Sequence, residues 1–187
     1  MTGDLDSDER LMARVAAGDR PALDLLVRRH AAPLFSFLRR LVRDHHRAEE
    51  LFQETFLSVW GKRHLYEAPR SFKAWLYAIA LNKCRAAFRS RPLLTLASPP
   101  EDADGPLLEP DDSPGDRLLA DETAQLVLRA VEQLPAQQRL VVMLRVWHGL
   151  SYAEIAETLG RTEATVRSHM HHALQSLRLG LEAHLAD

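Results

Sequence analysis

The stretch Leu134–Leu181, LPAQQRLVVMLRVWHGLSYAEIAETLGRTEATVRSHMHHALQSLRLGL, reads as three helices separated by two hard stops. Pro135 suits a first helical turn, where its missing N–H would be unpaired anyway. Leu140, Leu144 and Trp147 fall on one stripe, and Gly149 ends the run. Ser151 and Glu154 have the spacing of a capping box, which predicts a short second helix with Ile155, Ala156 and Leu159 turned inward. Gly160 offers the left-handed residue of a sharp turn. Thr162 then caps a third helix whose buried stripe is Val166, Met170, Ala173 and Leu177. A short helix, a glycine turn and a longer helix describe a helix-turn-helix, and the small Ala156 permits a close crossing. In that motif the second helix enters the major groove, with its first two turns toward base edges. Its outward residues here are Glu163, Ala164, Arg167, Ser168 and His171.

Composition bounds the remainder. A chain of 187 residues allows one large or two small domains. No apolar run approaches the roughly 20 residues of a membrane span. The acidic start MTGDLDSDERLM lacks the apolar segment of a secretion signal. The lone Cys84 excludes a disulfide framework and fits a reducing cytoplasm. It reads as an inert thiol, with a redox sensor beside Arg85 as the alternative.

The net charge of −2 conceals a strong asymmetry. Residues 1–91 hold 17 Lys+Arg against 11 Asp+Glu, whereas residues 92–116 hold seven acids, six prolines and no Lys or Arg. Residues 117–187 hold seven basic and eight acidic side chains. A proline-rich acidic segment cannot build a core, so 92–116 reads as a flexible tether between two helical domains. In the first of these, a helix over 8–17 with Ser7 or Asp8 as cap precedes one from Asp19 to about Val42, with a kink expected at Pro33. Asp44 caps a third, with Leu51, Phe52, Thr55, Phe56, Val59 and Trp60 on its apolar side. A fourth spans about 71–91 on a Phe72, Trp75, Leu76 and Ile79 stripe. No alternating strand pattern occurs, and the expected fold class is all-α.

The order LPxxQR, GLSYAEIAExLG, xxTVRSxxHxAL resembles the promoter −35-binding domain of bacterial sigma factors, closest to the extracytoplasmic-function (ECF) class. Leu11, Gly18–Asp19, Ala22 and Leu25–Leu26 look like the family's opening helices. AEELFQETFLSVW (48–60) resembles the segment that docks on the polymerase clamp helices. FKAWLYAIALNKCRAAFR (72–89) resembles the reader of the −10 element. The resemblance implies sigma region 2 over 1–91, a tether over 92–116 and sigma region 4 over 117–187.

By that resemblance the partners are core RNA polymerase, promoter DNA and an anti-sigma factor, with no catalytic residue, cofactor or metal. Polymerase contacts fall on Glu49, Glu50, Leu51, Gln53, Glu54, Phe56 and Leu57. Contacts to the −10 strand fall on Lys62, Arg63, His64, Tyr66, Arg70, Lys73, Asn82, Lys83, Arg85 and Arg89. Phosphates need the cations, Tyr66 or His64 would stack on an extruded base, and Asn82 offers donor and acceptor to a base edge. Contacts to −35 DNA fall on Thr162, Glu163, Ala164, Thr165, Arg167, Ser168, His169, His171 and His172. Where the family usually has SRxxRAR, this chain has His169, His172 and Leu174, leaving Arg167 the one permanent cation of 162–177. Histidine gains charge just below neutrality, so −35 binding is expected to strengthen toward pH 6. The alternative reading is an autonomous helix-turn-helix regulator that binds DNA by itself. No Ser/His/Asp constellation, phosphate-binding glycine loop or carboxylate pair suggests an enzyme.

Overall fold

A computed structural model describes residues 7–89 and 114–185. Most of the acidic tether, and Arg91, lie outside the described residues. Helix α1 (Asp8–Ala16) is capped by Ser7, whose Oγ accepts the Arg10 N–H at 3.3 Å. Asp8 instead meets Arg29 and His30 of α2 (Arg20–Val42). Burial alone would raise the Asp8 carboxyl, but hydrogen bonds from His30 and Arg29 hold it below its ordinary range. Asp19 caps α2 through the Ala22 N–H, and Pro33 lies within the helix without ending it. Asp44 caps α3 (His45–Gly61) through the Arg47 N–H at 2.9 Å. A short 3-10 turn, Arg63–Leu65, leads to α4 (Phe72–Arg89).

The second half comprises α5 (Pro114–Gln133), α6 (Ala136–Val142), α7 (Tyr152–Leu159) and α8 (Glu163–Leu185). Between α7 and its flanks the sequence signals act as read. Ser151 and Glu154 form the reciprocal capping box, and Gly160 adopts φ +64°. No strand occurs among the described residues, and the fold is all-α.

Two features differ from a simple stripe reading. The helix expected to run to Gly149 changes at Met143 into a π-helical turn, Met143–Trp147. Leu140 through Leu144 are all buried, because this segment is covered on more than one side. Helix α4 buries Ala74, Tyr77, Ala80, Leu81 and Cys84 as well as the predicted stripe. Ala74 meets α7, whose Thr158 hydroxyl lies 3.2 Å from its carbonyl, and Tyr77 packs between Phe37 of α2 and His148, so α4 is covered from more than one side.

Candidate nucleic-acid interface

The loop before α4 and the outward side of α4 carry most of the expected −10 residues. Lys62 and His64 are exposed, and Arg63 stacks 4.3 Å from the Trp60 ring while donating to its carbonyl at 2.9 Å. Asn82 and Arg85 are exposed on α4, with Arg85 Nη1 3.4 Å from Asn82 Oδ1. Lys83 is half-buried and pairs with Glu54 of α3 at 3.2 Å. The Arg89 side chain lies outside the described residues.

Tyr66 requires a correction, since it cannot serve as a stacking platform in this arrangement. It is 8% exposed, edge-on to Trp75 at 5.3 Å and to Phe72 at 6.5 Å. Its hydroxyl donates to the Arg70 carbonyl, so the polar tip is satisfied inside the fold. Burial first, and the negative charges of Glu9 and Asp8 next, push the phenol up to about 12. Arg70 and Lys73 also leave the expected cluster. Arg70 forms an ion pair with Glu157 of α7, and the Lys73 ammonium approaches Gly149.

Helix α8 and the turn before it carry the residues expected to meet −35 DNA. Thr162 Oγ1 accepts the Thr165 N–H at 3.2 Å, which caps the helix. Glu163, Ala164, Arg167, Ser168, His171 and His172 are exposed, while Thr165 and His169 are half-buried. Arg167 is held by Glu163 one turn back and stacks 4.5 Å from the Tyr152 ring. Exposed pairs of this kind contribute only about 0.3–0.5 kcal/mol, so a phosphate can draw the guanidinium away. Arg161, exposed in the turn, is a cation that helix-based reasoning passed over; its place beside Gly160 was the available signal. Arg178 also lies on α8, paired with Glu182 at 2.8 Å.

This cation-poor surface yields a prediction. The double replacement His169→Arg with His172→Arg should tighten binding to a −35 duplex and steepen its salt dependence. Each new phosphate contact adds about 0.9 to the log–log slope. Binding isotherms at several salt concentrations check it. An unchanged slope would remove these two positions from the DNA surface.

A third surface lies between α2 and α3. An open groove of about 520 Å³ is lined by Leu23, Val27, Phe52, Phe56, Leu57 and Trp60. Leu57 is 71% exposed, which makes it the apolar knob of this face. Glu49, Glu50 and Gln53 are exposed, with Glu50 2.5 Å from Arg47 and Glu49 3.3 Å from His45; Glu54 is half-buried. Two expected contacts need correcting. Leu51 is fully buried and Phe56 is 8% exposed, so Leu51 belongs to the core and Phe56 only floors the groove. Leu23 and Val27 were not anticipated, because they come from a different helix.

Two family models match the chain in turn. Residues 26–92 match the family model "Sigma-70 region 2", and residues 124–177 match "Sigma-70, region 4". The chain is 37% identical to the ECF RNA polymerase sigma factor SigE of Mycolicibacterium smegmatis, covering 92% of this chain and 67% of that protein. It is 33% identical to the ECF RNA polymerase sigma factor SigL of Mycobacterium tuberculosis, covering 91% and 97% respectively. CnrH, solved in complex with the cytosolic domain of CnrY, superposes with a TM-score of 0.67 at 26% identity, covering 94% and 97%. The sigma factor RpoE of Bartonella quintana, co-crystallised with the anti-sigma factor NepR, shares the fold with a TM-score of 0.63 at 24% identity, covering 85% and 96%. The chain thus belongs to the ECF family of RNA polymerase sigma factors, and its function is promoter recognition in transcription initiation.

Proposed function

We propose that residues 1–91 dock on core polymerase and read the −10 element, that 92–116 tether, and that 117–187 read the −35 element. The observation that carries this is the division of labour within the N-terminal bundle. Lys62, His64, Asn82 and Arg85 are exposed, and none of them lines the groove between α2 and α3. Polymerase and DNA can therefore be held together by one small bundle without competing for side chains.

The protein's work in this reading is positioning and charge. Lys62, Arg63 and Arg85 meet phosphates of the opened strand, and His64 offers a ring face to an unstacked base. Asn82 offers both a donor and an acceptor to a base edge. Helix α8 enters the major groove one turn beyond Thr162, with Ala164, Arg167, Ser168 and His171 toward the bases. The tether's acidic residues keep it off DNA, which leaves recognition to the two bundles. Polymerase as partner places the chain in the cytoplasm, and an anti-sigma factor would compete for the same exposed groove. Among the described residues no helix is long and apolar enough to cross a membrane.

The test is promoter opening with reconstituted holoenzyme. Asn82→Ala and Arg85→Ala should retain polymerase binding yet lose permanganate reactivity of the bubble. One lost contact is worth about 1–3 kcal/mol, or roughly 5- to 150-fold in occupancy. Both residues are exposed, so the bundle itself should melt as before. A normal bubble in both variants, or tight sequence-specific binding by the free chain with no effect on polymerase, would favour the autonomous regulator instead.

A further inference from the structure

Near the end of α2, three guanidiniums converge on one carboxylate. A narrow cavity of about 10 Å³ opens there. Its charged lining is Arg40 of α2, Arg43 at the C-terminal cap of that helix, Glu132 of α5 and Arg139 of α6. The remaining wall is apolar and includes Met143 and Trp147. Each cation has a contact that holds it in place. The Arg40 guanidinium sits 4.9 Å from the Trp147 ring. Arg43 lies on a left-handed backbone, φ +53°, and its N–H donates to the Arg39 carbonyl at 2.9 Å. Arg139 Nη1 donates to the Glu132 carbonyl at 2.7 Å. The Glu132 carboxylate is the loosest member. It is 45% exposed and stands 3.9 Å from the Arg43 guanidinium, too far for a hydrogen bond.

The charge around the cavity does not balance. Arg40, Arg43 and Arg139 face the single anion Glu132, and Arg39 adds like charge against Arg40. Burial first holds the Arg40 and Arg139 guanidiniums below their ordinary value; Arg43 acts against Arg139 in the same sense, and Glu132 offsets part of it for both. A guanidinium keeps its proton in proteins, so the excess calls for an anion. A carboxylate offers two oxygens, and Glu132 already supplies them. A phosphate offers four, with up to two charges, and its geometry matches the forked donors of arginine. One phosphate oxygen suits a recess the size of a water molecule. Its other oxygens would lie at the mouth, where Arg43 and Glu132 are partly exposed.

We propose that Arg40, Arg43 and Arg139 form a phosphate-binding site, from which Glu132 swings aside when phosphate enters. The phosphate is free or is the terminal group of a small molecule, and the chemistry recognised is the same. Bound there, it ties the end of α2 to α5 and α6. The site is independent of which residues read promoter DNA.

NMR titration of the full chain with inorganic phosphate tests this, at constant ionic strength made up with chloride. The side-chain Nε–H signals of Arg40, Arg43 and Arg139 should shift and saturate together. Arg43→Gln and Arg139→Gln should each weaken binding about tenfold or more, the worth of one charge-assisted hydrogen bond. A melting curve of each variant reports its fold, and either variant that folds is sufficient. Glu132→Gln removes the competing carboxylate and should tighten binding by up to about fivefold. An arginine cluster that only braces the fold around Glu132 gives no such gain. Arg178→Gln, on α8 and outside the cavity lining, should bind as the wild type does. Competition by a nucleoside triphosphate assigns the site to a carried phosphate, and its absence assigns it to free phosphate. No saturable shift in the wild type overturns the proposal, as does a Glu132→Gln chain that binds no more tightly. A loss in Arg178→Gln equal to that in Arg43→Gln overturns it too, since the binding would then be diffuse.

Discussion

Phe72→Ala is expected to destabilise the N-terminal bundle by about 3–5 kcal/mol, a large share of what holds it folded. Phe72 is fully buried at the start of α4, with ring centroids 5.3 Å from His30, 6.5 Å from Tyr66 and 6.4 Å from Trp75. Its N–H also reaches Glu9 Oε1 of α1 at 3.3 Å, so one residue joins α1, α2, the loop and α4. Truncation removes the ring's burial and leaves a void that three other rings cannot close without moving. Such changes cost about 3–5 kcal/mol, against a total stability of about 5–15 kcal/mol for a domain. The melting point should fall by roughly 12–40 °C, at about 4–8 °C per kcal/mol for a bundle of this size. Phe72→Leu conserves most of the volume and should cost less than about 1.5 kcal/mol. Thermal unfolding followed by circular dichroism decides it. A shift below 5 °C for the alanine variant would mean that the bundle does not depend on this junction.

Leu57→Asp should have the opposite profile, sparing the fold and abolishing retention on core polymerase. Leu57 is 71% exposed, so its replacement removes little burial within the chain and should shift stability by about 0.5 kcal/mol or less. Its value lies in what it would meet. The groove beside it, walled by Phe52, Phe56 and Trp60, is an open recess of about 520 Å³ between α2 and α3. A residue at the centre of such a face typically contributes about 2 kcal/mol or more to association, roughly 30-fold in affinity. A carboxylate there adds a desolvation cost that a buried apolar contact cannot offset. Pull-down with core polymerase, alongside a melt of the free chain, separates the two effects. Unimpaired pull-down would move the docking surface away from α3.

The local signals in this chain act over four residues or fewer, and they were legible without a structure. Ser7, Asp19, Asp44, Ser151 with Glu154, and Thr162 each cap the helix that their position predicts. Gly160 turns the helix-turn-helix with the left-handed backbone expected of it. The exposed residues of α8 follow from its period alone, because that helix is buried along a single stripe.

Whatever depends on two neighbours had to wait for the tertiary structure. The stripe of Phe72, Trp75, Leu76 and Ile79 identifies one buried face of α4, but Ala74 and Tyr77 are buried as well because Thr158 of α7, His148 and Phe37 of α2 pack against them. Tyr66 carries an apolar ring and a polar tip, so its sequence context suits an exposed platform as well as a core. A carbonyl from Arg70, placed where the tip ends, decided for the core. Leu51 and Leu57 are both leucines on α3, one fully buried and one 71% exposed, separated by which side α2 and α4 occupy. His148 precedes the Gly149 read as the end of its helix, and only the approach of Phe37 and Tyr77 makes it the centre of a contact. Caps and periods are written in the chain because they are short-range hydrogen bonds and one-face burial. Which surfaces remain open to polymerase and DNA is set by packing between segments far apart in sequence, which no local period encodes.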